Sequence, residues 1–174
     1  QDQFSQELQL LGTADRLDWI AGIYYFNEDG NNVNTLDFTV SNFRSGGSFD
    51  NEAWALFAQA TYDLSDALHL TVGGRYTDEQ KAFTPDQIIY QNYYAGFSNL
   101  VPADNPLAKL DSPFLQAGER ILPLLEKDTD ISEFTPLVNL SYDLSDDVML
   151  YLTYSEGFKS GGFTQRVSPP IVAG

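Results

Sequence analysis

The feature that most constrains the fold is an alternating run of apolar and polar residues over 53–81, interrupted by a five-residue polar turn. The apolar parity is made of Trp54, Leu56, Ala58, Ala60 and Tyr62 before the turn and Leu68, Leu70, Val72, Gly74 and Tyr76 after it. Because successive side chains of a strand point to opposite faces, a period of two predicts two strands. Asp63, Ser65 and Asp66 favour a turn between them. The stretch therefore predicts a long β-hairpin.

This hairpin recurs along the chain. The sequence Tyr-Asp-Leu-Ser-Asp at 62–66 returns at 142–146, again between alternating flanks, and a looser copy surrounds residues 12–16. Three hairpins predict six strands, at about residues 3–11, 17–27, 53–62, 68–81, 134–143 and 148–158. The spacing is uneven, which argues against a solenoid of fixed period.

The lengths of the connections alternate strictly. Short turns are predicted at 12–16, 63–67 and 143–147, and long loops at 27–52 and 82–133. In an antiparallel meander every second connection lies at the same end of the sheet. One end of the sheet therefore has only short turns, and the other end has all the long loops. Outer-membrane barrels have this arrangement, whereas long structureless loops are uncommon in compact soluble domains. We therefore expect an all-β, up-and-down meander that forms part of a transmembrane barrel.

Four charged side chains of the predicted strands lie on the polar parity. Glu7, Asp18, His69 and Arg75 all lie opposite the apolar parity. A spanning barrel requires this, because Arg or Lys on the lipid face costs roughly 2–4 kcal/mol at the bilayer midplane. A half-buried strand of a soluble protein shows the same alternation, so the pattern favours a barrel only weakly.

Aromatic residues on the apolar parity fall into two groups. Tyr62 and Tyr142 lie beside the short turns, and Trp54, Tyr76 and Tyr154 lie towards the other end. Two such bands resemble the aromatic girdles at the two membrane interfaces. Cross-strand aromatic packing in a soluble sandwich is the alternative explanation.

Composition excludes several kinds of function. A net charge of −16 argues against a nucleic-acid partner, since phosphate contacts need a basic face. The absence of Cys excludes disulfides and thiolate metal sites, and a single His excludes a site with several His ligands. We expect no cofactor and no bound metal. No apolar run reaches about 18 residues, so no transmembrane helix is expected.

Three phrases of the sequence resemble the TonB-dependent outer-membrane receptors. They are Asp18-Trp19-Ile20-Ala21-Gly22-Ile23-Tyr24-Tyr25-Phe26, the turn at 62–66 leading to Gly73-Gly74-Arg75-Tyr76-Thr77, and the stretch from Tyr151 to Phe163. The resemblance implies a 22-stranded barrel plugged by an N-terminal globular domain. It also implies a receptor in the outer membrane of a Gram-negative bacterium that takes up scarce ligands such as ferric siderophores, with energy delivered through TonB.

The chain departs from this family in what it lacks. No plug domain, TonB-box segment or barrel-closing strand is found in the 174 residues. Six strands cannot close such a barrel, and an open sheet exposes two edges. We expect residues 1–174 to be an internal piece of the barrel, with the plug domain absent. Its expected partners are outer-membrane lipid and lipopolysaccharide, TonB by way of the missing plug, and a small-molecule ligand such as a metal chelate.

The resemblance places a ligand site where the inner-facing parity meets the long-loop end. The predicted ligand-binding residues are Arg75, Thr77, Tyr151 and Lys159. Arg75 and Lys159 would attract an anionic chelate, and Tyr151 would supply stacking area. Alternatively, Arg75 pairs with a carboxylate of the lumen or the plug.

Three other classes of function compete with the receptor. A soluble all-β binding module for carbohydrate would bury the face of Trp54, Leu56 and Val72 against a second sheet. A small closed outer-membrane barrel of eight strands would need two more strands within 82–133. An outer-membrane hydrolase would need His69 beside Ser65 or Asp66, but a nucleophile also needs a base held by a third group. His69 lies beside a short turn, away from the elaborated loops, so we expect no enzymatic activity.

Overall fold

Seven antiparallel strands form the described structure. The computed structural model describes residues 1–38, 41–92, 117–120 and 122–164. The strands are β1 (Asp2–Ala14), β2 (Leu17–Phe38), β3 (Ser41–Ser65), β4 (Leu68–Pro85), β5 (Ile88–Asn92), β6 (Lys127–Ser145) and β7 (Val148–Ser155). Within these ranges, no helix has the length and apolar character needed to cross a membrane.

The strands belong to one sheet with the order β1-β2-β3-β4-β6-β7, and the short β5 pairs with β3 beyond the end of β4. Every pairing is antiparallel. The predicted all-β meander is confirmed. The sheet is open, because β1 and β7 are its outer members and do not pair with each other.

Three two-residue turns lie together at one end of the sheet, which we call the short-turn end. The first contains Asp15, whose φ of 51° is a conformation that Asp adopts more readily than most residues. In the second, the Ser65 hydroxyl accepts hydrogen bonds from the amides of Ala67 (3.3 Å) and Leu68 (3.1 Å). The third repeats the second: the register shifts between Asp63 and Ser65 and again between Asp143 and Ser145. The sequence repeat thus corresponds to a repeated β-bulge.

At the opposite end of the sheet, which we call the long-loop end, the observed strands are longer than the predicted ones. The stretch 27–52, expected as a loop, pairs continuously from Asn27↔Glu52 to Phe38↔Ser41. Its Gly, Asn and Ser residues carry no apolar alternation. Ladder hydrogen bonds join backbone groups and do not require such alternation, so a hydrophobic pattern could not reveal this extension.

The second expected loop, 82–133, also contains strand. It includes the end of β4, all of β5 and the start of β6, which begins at Lys127 rather than near 134. Its residues 93–116 and 121 lie outside the described residues. A single short additional strand is described there, so the described part offers no support for a closed barrel of eight strands.

The apolar parity forms one exposed face of the sheet, which we call the outward face. The register aligns its members in rows across the strands, such as Ile23, Leu56, Tyr76 and Phe134. Leu56 is 50% exposed and Leu152 75% exposed. No second sheet of the described residues covers this face, so the burial that the sandwich alternative required is not observed there.

An aromatic band crosses the outward face towards the long-loop end. Tyr25 and Trp54 are direct partners, and Phe4 lies one same-face row above them. Tyr76 lies one row below Trp54, and their rings are 5.5 Å apart. Tyr154 lies two rows lower again. The band therefore steps steadily towards the short-turn end from β1 to β7.

A second band lies near the short turns. Tyr142 is one same-face row closer to the turns than Tyr62, which is a step of the same sign as in the first band. On β3, the segment from Trp54 to Tyr62 contains nine residues. A transmembrane strand needs about 9–11 residues.

The opposite, inward face carries the few buried side chains. Among the described residues the buried hydrophobic ones are Phe43, Ala55, Phe83 and Ile89. Phe43 pairs with Ile89 of β5, and both are almost fully buried. Packing is thus concentrated on the inward face and towards the long-loop end.

Candidate functional site

Arg75 is the centre of the candidate site on the inward face. Its guanidinium Cζ lies 5.5 Å from the ring centroid of Tyr24 and 5.9 Å from that of Phe57. Its Nε donates a hydrogen bond to Thr77 Oγ1 at 3.1 Å. Strands β2, β3 and β4 each contribute a side chain because alternation gives all of them the inward parity. The cation is held between two aromatic faces, an arrangement that stabilises it electrostatically.

Small side chains lie on the sheet beneath Arg75 and the two aromatic rings. Ala55 is fully buried and Thr77 is 8% exposed. Gly22, directly opposite Phe57, leaves room for the Phe57 ring, since a Cβ there would overlap it. The aromatic rings and the arginine stem therefore cover a tightly packed patch of sheet.

No carboxylate among the described residues forms an ion pair with Arg75. Its described hydrogen bond uses Nε, so the two terminal nitrogens can donate to a group in the lumen. An arginine fork of this kind suits a carboxylate or another planar anion. The alternative partner, a carboxylate of the lumen or the plug, stays a prediction.

Arg75 lies deep along the strands. It pairs with Phe57, which is 8 residues from the end of β3 at the short turns and 16 from its start. At about 3.3 Å per residue, these separations are about 26 Å and about 53 Å. Arg75 is therefore level with the apolar rows that lie between the two aromatic bands. It is not at the long-loop end, where the site was expected.

The structure brings Arg75 and Thr77 together but separates the other two predicted residues from them. Tyr151 is opposite Ser141 of β6, whereas Arg75 is opposite Thr135, which is six residues closer to the long-loop end of the same strand. That is about 20 Å along the strand. Tyr151 is thus near the short turns, and Lys159 is exposed beyond the end of β7.

Sequence reasoning missed Tyr24 and Phe57. Their inward parity was visible in the alternation, but which of the inward side chains meet depends on the register between three strands. That register fixes Phe57 beside Arg75 and places Tyr24 one same-face row away.

A second inward contact joins β4 to residues 156–164, which we call the return segment. Lys81 Nζ donates to Ser160 Oγ at 2.7 Å and to the Gly161 carbonyl at 3.0 Å, and it pairs with Glu79 at 2.9 Å. The rings of Phe83 and Phe163 stack at 5.7 Å. The return segment therefore lies against the inward face of β4, on the long-loop side of Arg75.

A cluster on Asp86 fixes the long-loop end. Asp86 forms ion pairs with Arg44 of β3 and with Arg120, the latter at 2.8 Å. The Ile89 amide donates to the Glu119 carbonyl at 3.0 Å. These contacts hold β5 and residues 117–120 against the end of β3.

Both described hydrogen bonds of the His69 ring go to carboxylates. Its ring nitrogens contact Asp63 and Asp143. The Ser65 hydroxyl oxygen, the nucleophile of the hydrolase alternative, accepts from the amides of Ala67 and Leu68, and no described hydrogen bond joins it to His69. The described geometry therefore lacks the nucleophile–base contact on which that alternative depended.

Two recesses of the described surface lie away from Arg75. One of about 750 Å³ is on the outward face and is lined by apolar side chains including Leu10, Ala58 and Phe134. Another, of about 280 Å³, is lined by carboxylates including Glu52 and Asp130, just beyond Trp54. No cluster of described residues has the composition of a metal site.

Comparisons with known proteins agree on one architecture. The model of a family described as "TonB dependent receptor-like, beta-barrel" matches residues 1–174. Among solved structures, the chain is similar to the ferric yersiniabactin uptake receptor FyuA from Yersinia pestis, with a TM-score of 0.60 and 19% sequence identity. The alignment covers 86% of this chain and 20% of that receptor, so the chain spans about a fifth of its length. At this identity the likeness shows the fold alone. The search of curated proteins gave no match.

Proposed function

Because the chain belongs to the family of TonB-dependent receptor β-barrels, we propose that it is a section of the wall of an outer-membrane uptake receptor. The family is one of transport receptors and not of enzymes. The observation that carries the proposal is the single sheet with an exposed apolar outward face and a polar inward face. The expected cargo is a scarce metal chelate such as a ferric siderophore, and the expected energy source is TonB.

The rest of the barrel and the plug would lie elsewhere in the whole receptor. The open edges of β1 and β7 would pair there with further strands, because unpaired backbone groups are not tolerated in the hydrocarbon. Contact with TonB would be made through the plug. The 174 residues would contribute only part of the lumen.

The aromatic bands support a position in the outer membrane. Strands of such barrels tilt about 35–45°, so a band that is level in the membrane must cross the register rows diagonally. The band from Phe4 to Tyr154 steps in this way, and the band of Tyr62 and Tyr142 steps in the same direction. Acyl chains of outer-membrane lipid, including lipopolysaccharide, would cover the face between them.

Arg75 is the residue that would meet an anionic cargo on its way through the lumen, and Thr77, buried beneath it, would hold its Nε. The support is the half-buried guanidinium, whose described hydrogen bond uses Nε and not the terminal nitrogens, and the aromatic faces that preorganise it. Lys159 and Tyr151 would contact the cargo at other levels of the path. A carboxylate of the plug is the competing partner for Arg75.

Uptake measurements test this proposal. Cells that express the intact receptor should accumulate radioactive iron from one of a panel of ferric siderophores, ferric yersiniabactin included, and should stop when TonB is deleted. Arg75→Met should lower that uptake about tenfold or more, which corresponds to about 1.4 kcal/mol, whereas Arg16→Met in the first turn should not. Uptake that persists without TonB would contradict the energy source. Normal uptake by Arg75→Met would contradict the site.

A further inference from the structure

The single histidine of the chain joins two hairpins at the short-turn end. His69 Nδ1 lies 2.5 Å from Asp63 Oδ1 on β3, and Nε2 lies 3.3 Å from Asp143 Oδ2 on β6. All three side chains are on the inward face at the level of the second aromatic band: His69 lies between the register rows of Tyr62 and Tyr142, and Asp63 and Asp143 each lie one residue closer to the short turns than the tyrosine of their own strand. The imidazole thus connects the β3–β4 hairpin to the β6–β7 hairpin.

The two aspartates are equivalent members of the sequence repeat. Each precedes the β-bulge of its own hairpin. Each also ties its hairpin to the preceding turn: the Asp63 amide donates to the Arg16 carbonyl at 2.9 Å, and the Asp143 amide donates to the Ala67 carbonyl at 2.8 Å. Both carboxylates are therefore positioned by the backbone, with the imidazole between them.

The protonation state of the ring decides whether both contacts are attractive. A carboxylate only accepts hydrogen bonds, so both ring nitrogens must carry hydrogen to satisfy Asp63 and Asp143 together. Only the imidazolium has two N–H groups. In the neutral ring, one nitrogen presents a lone pair to a carboxylate, and that contact becomes repulsive.

Two charged residues lie near this group on the β2 side. Arg16, in the turn before β2, accepts the hydrogen bond of the Asp63 amide through its carbonyl. Asp18 is one same-face row away, in the row of Thr61 and Thr71. On β7, Tyr151 pairs with Ser141 in the histidine row. The hydrogen bond to Asp63, followed by that to Asp143, raises the pKa of His69 above its ordinary value of 6.5.

We propose that protonation of His69 fastens the β3–β4 hairpin to the β6–β7 hairpin, so that the short-turn rim of the barrel is tighter in acid than at neutral or alkaline pH. Because the pKa is raised in the folded state, the stabilisation is fully present below 6.5 and is lost as the pH rises through the folded value. The inference concerns the rim and does not depend on the identity of the cargo.

A nitrogen-15 NMR titration of the imidazole tests the proposal. In the intact receptor in detergent micelles, with labelled histidine, the signal that disappears in His69→Gln belongs to His69. We expect a midpoint above 6.5 that falls in Asp143→Asn and falls further in Asp63→Asn. Ser141→Ala, which changes an uncharged neighbour in the same row, should leave it unchanged.

Backbone exchange supplies a second measurement. Exchange of the amide hydrogen at position 143, which is donated to the Ala67 carbonyl, should be slower at acid pH than the intrinsic pH dependence of exchange predicts, and this extra protection should vanish in Asp143→Asn. A His69 midpoint at or below 6.5 would overturn the proposal. So would a midpoint unaffected by both Asp substitutions, or an extra protection that survives in Asp143→Asn.

Discussion

Individual glycines of this sheet are explained by the aromatic side chain that lies across from them. Trp19 covers Gly12, Phe57 covers Gly22 and Phe49 covers Gly30, and each pair is in direct register. The absence of a Cβ lets the ring lie flat on the neighbouring strand. Such pairs restore apolar contact that a glycine would otherwise forfeit.

Gly22→Ala should therefore destabilise the folded sheet. The new Cβ would overlap the Phe57 ring and lie 2.7 Å from the Leu8 carbonyl oxygen, which belongs to the backbone and cannot move aside. Overpacking of this kind costs about 1–3 kcal/mol. The free energy of unfolding in urea, measured in detergent micelles, checks this value.

Gly157→Ala is the matched control for this substitution. Nothing lies within 4 Å of a Cβ added there, so its effect should stay within about 0.5 kcal/mol. Equal stability of the two variants would contradict the packing described at Gly22.

The same scale shows what the sequence could not provide. Arg75 and Thr77 were both predicted as ligand-binding residues from the inward parity they share on one strand, and they are hydrogen-bonded to each other. The residues that flank Arg75, Tyr24 and Phe57, come from two other strands. Parity assigns a residue to a face, but only the register between strands decides which residues of that face touch.

Among the elements, the antiparallel meander was predictable and the strand ends at the long-loop side were not. Between the aromatic bands one face must be apolar, so alternation is enforced there. Beyond the bands, β2 continues to Phe38 and β3 begins at Ser41. These parts of the two strands are rich in Gly and Asn, and their pairing relies on backbone hydrogen bonds. The hydrophobic periodicity therefore ends where the apolar environment ends, so the prediction made from it underestimated the lengths of the strands.

The short strand β5 should depend on the carboxylate of Asp86. Asp86→Ala removes the partner of both Arg44 and Arg120. Hydrogen bonds to charged groups contribute about 1.5–3 kcal/mol, so local opening should become about 10- to 100-fold more frequent. Hydrogen exchange at the Ile89 amide, which is bonded to the Glu119 carbonyl, reports that opening.

Asp37→Ala provides the comparison for this element. Asp37 is an exposed carboxylate on β2, and its removal should leave exchange at Ile89 unchanged. If both substitutions accelerated exchange equally, a general loss of charge and not the Asp86 cluster would hold β5 in place.

For the whole molecule, one sheet separates two environments. The outward face presents apolar rows between two aromatic bands, and the inward face presents Arg75, His69 and the few buried side chains. β3 alone has 25 residues, about 80 Å at about 3.3 Å per residue, so the strands reach far beyond a membrane. The sheet thus combines a spanning section with a long projection on the side of the long loops.

The most direct test of this account is the accessibility of adjacent residues at the middle of the span. The chain has no Cys, so spin labels can be placed singly at Ala58→Cys on the outward face and Gln59→Cys on the inward face. In lipid vesicles, electron paramagnetic resonance should show label 58 in frequent collision with oxygen, which is enriched in lipid, and shielded from a water-soluble nickel chelate. Label 59 should show a much lower ratio of oxygen to nickel collisions. Equal ratios at the two positions, or the reverse order, would contradict the assignment of the apolar face to the membrane.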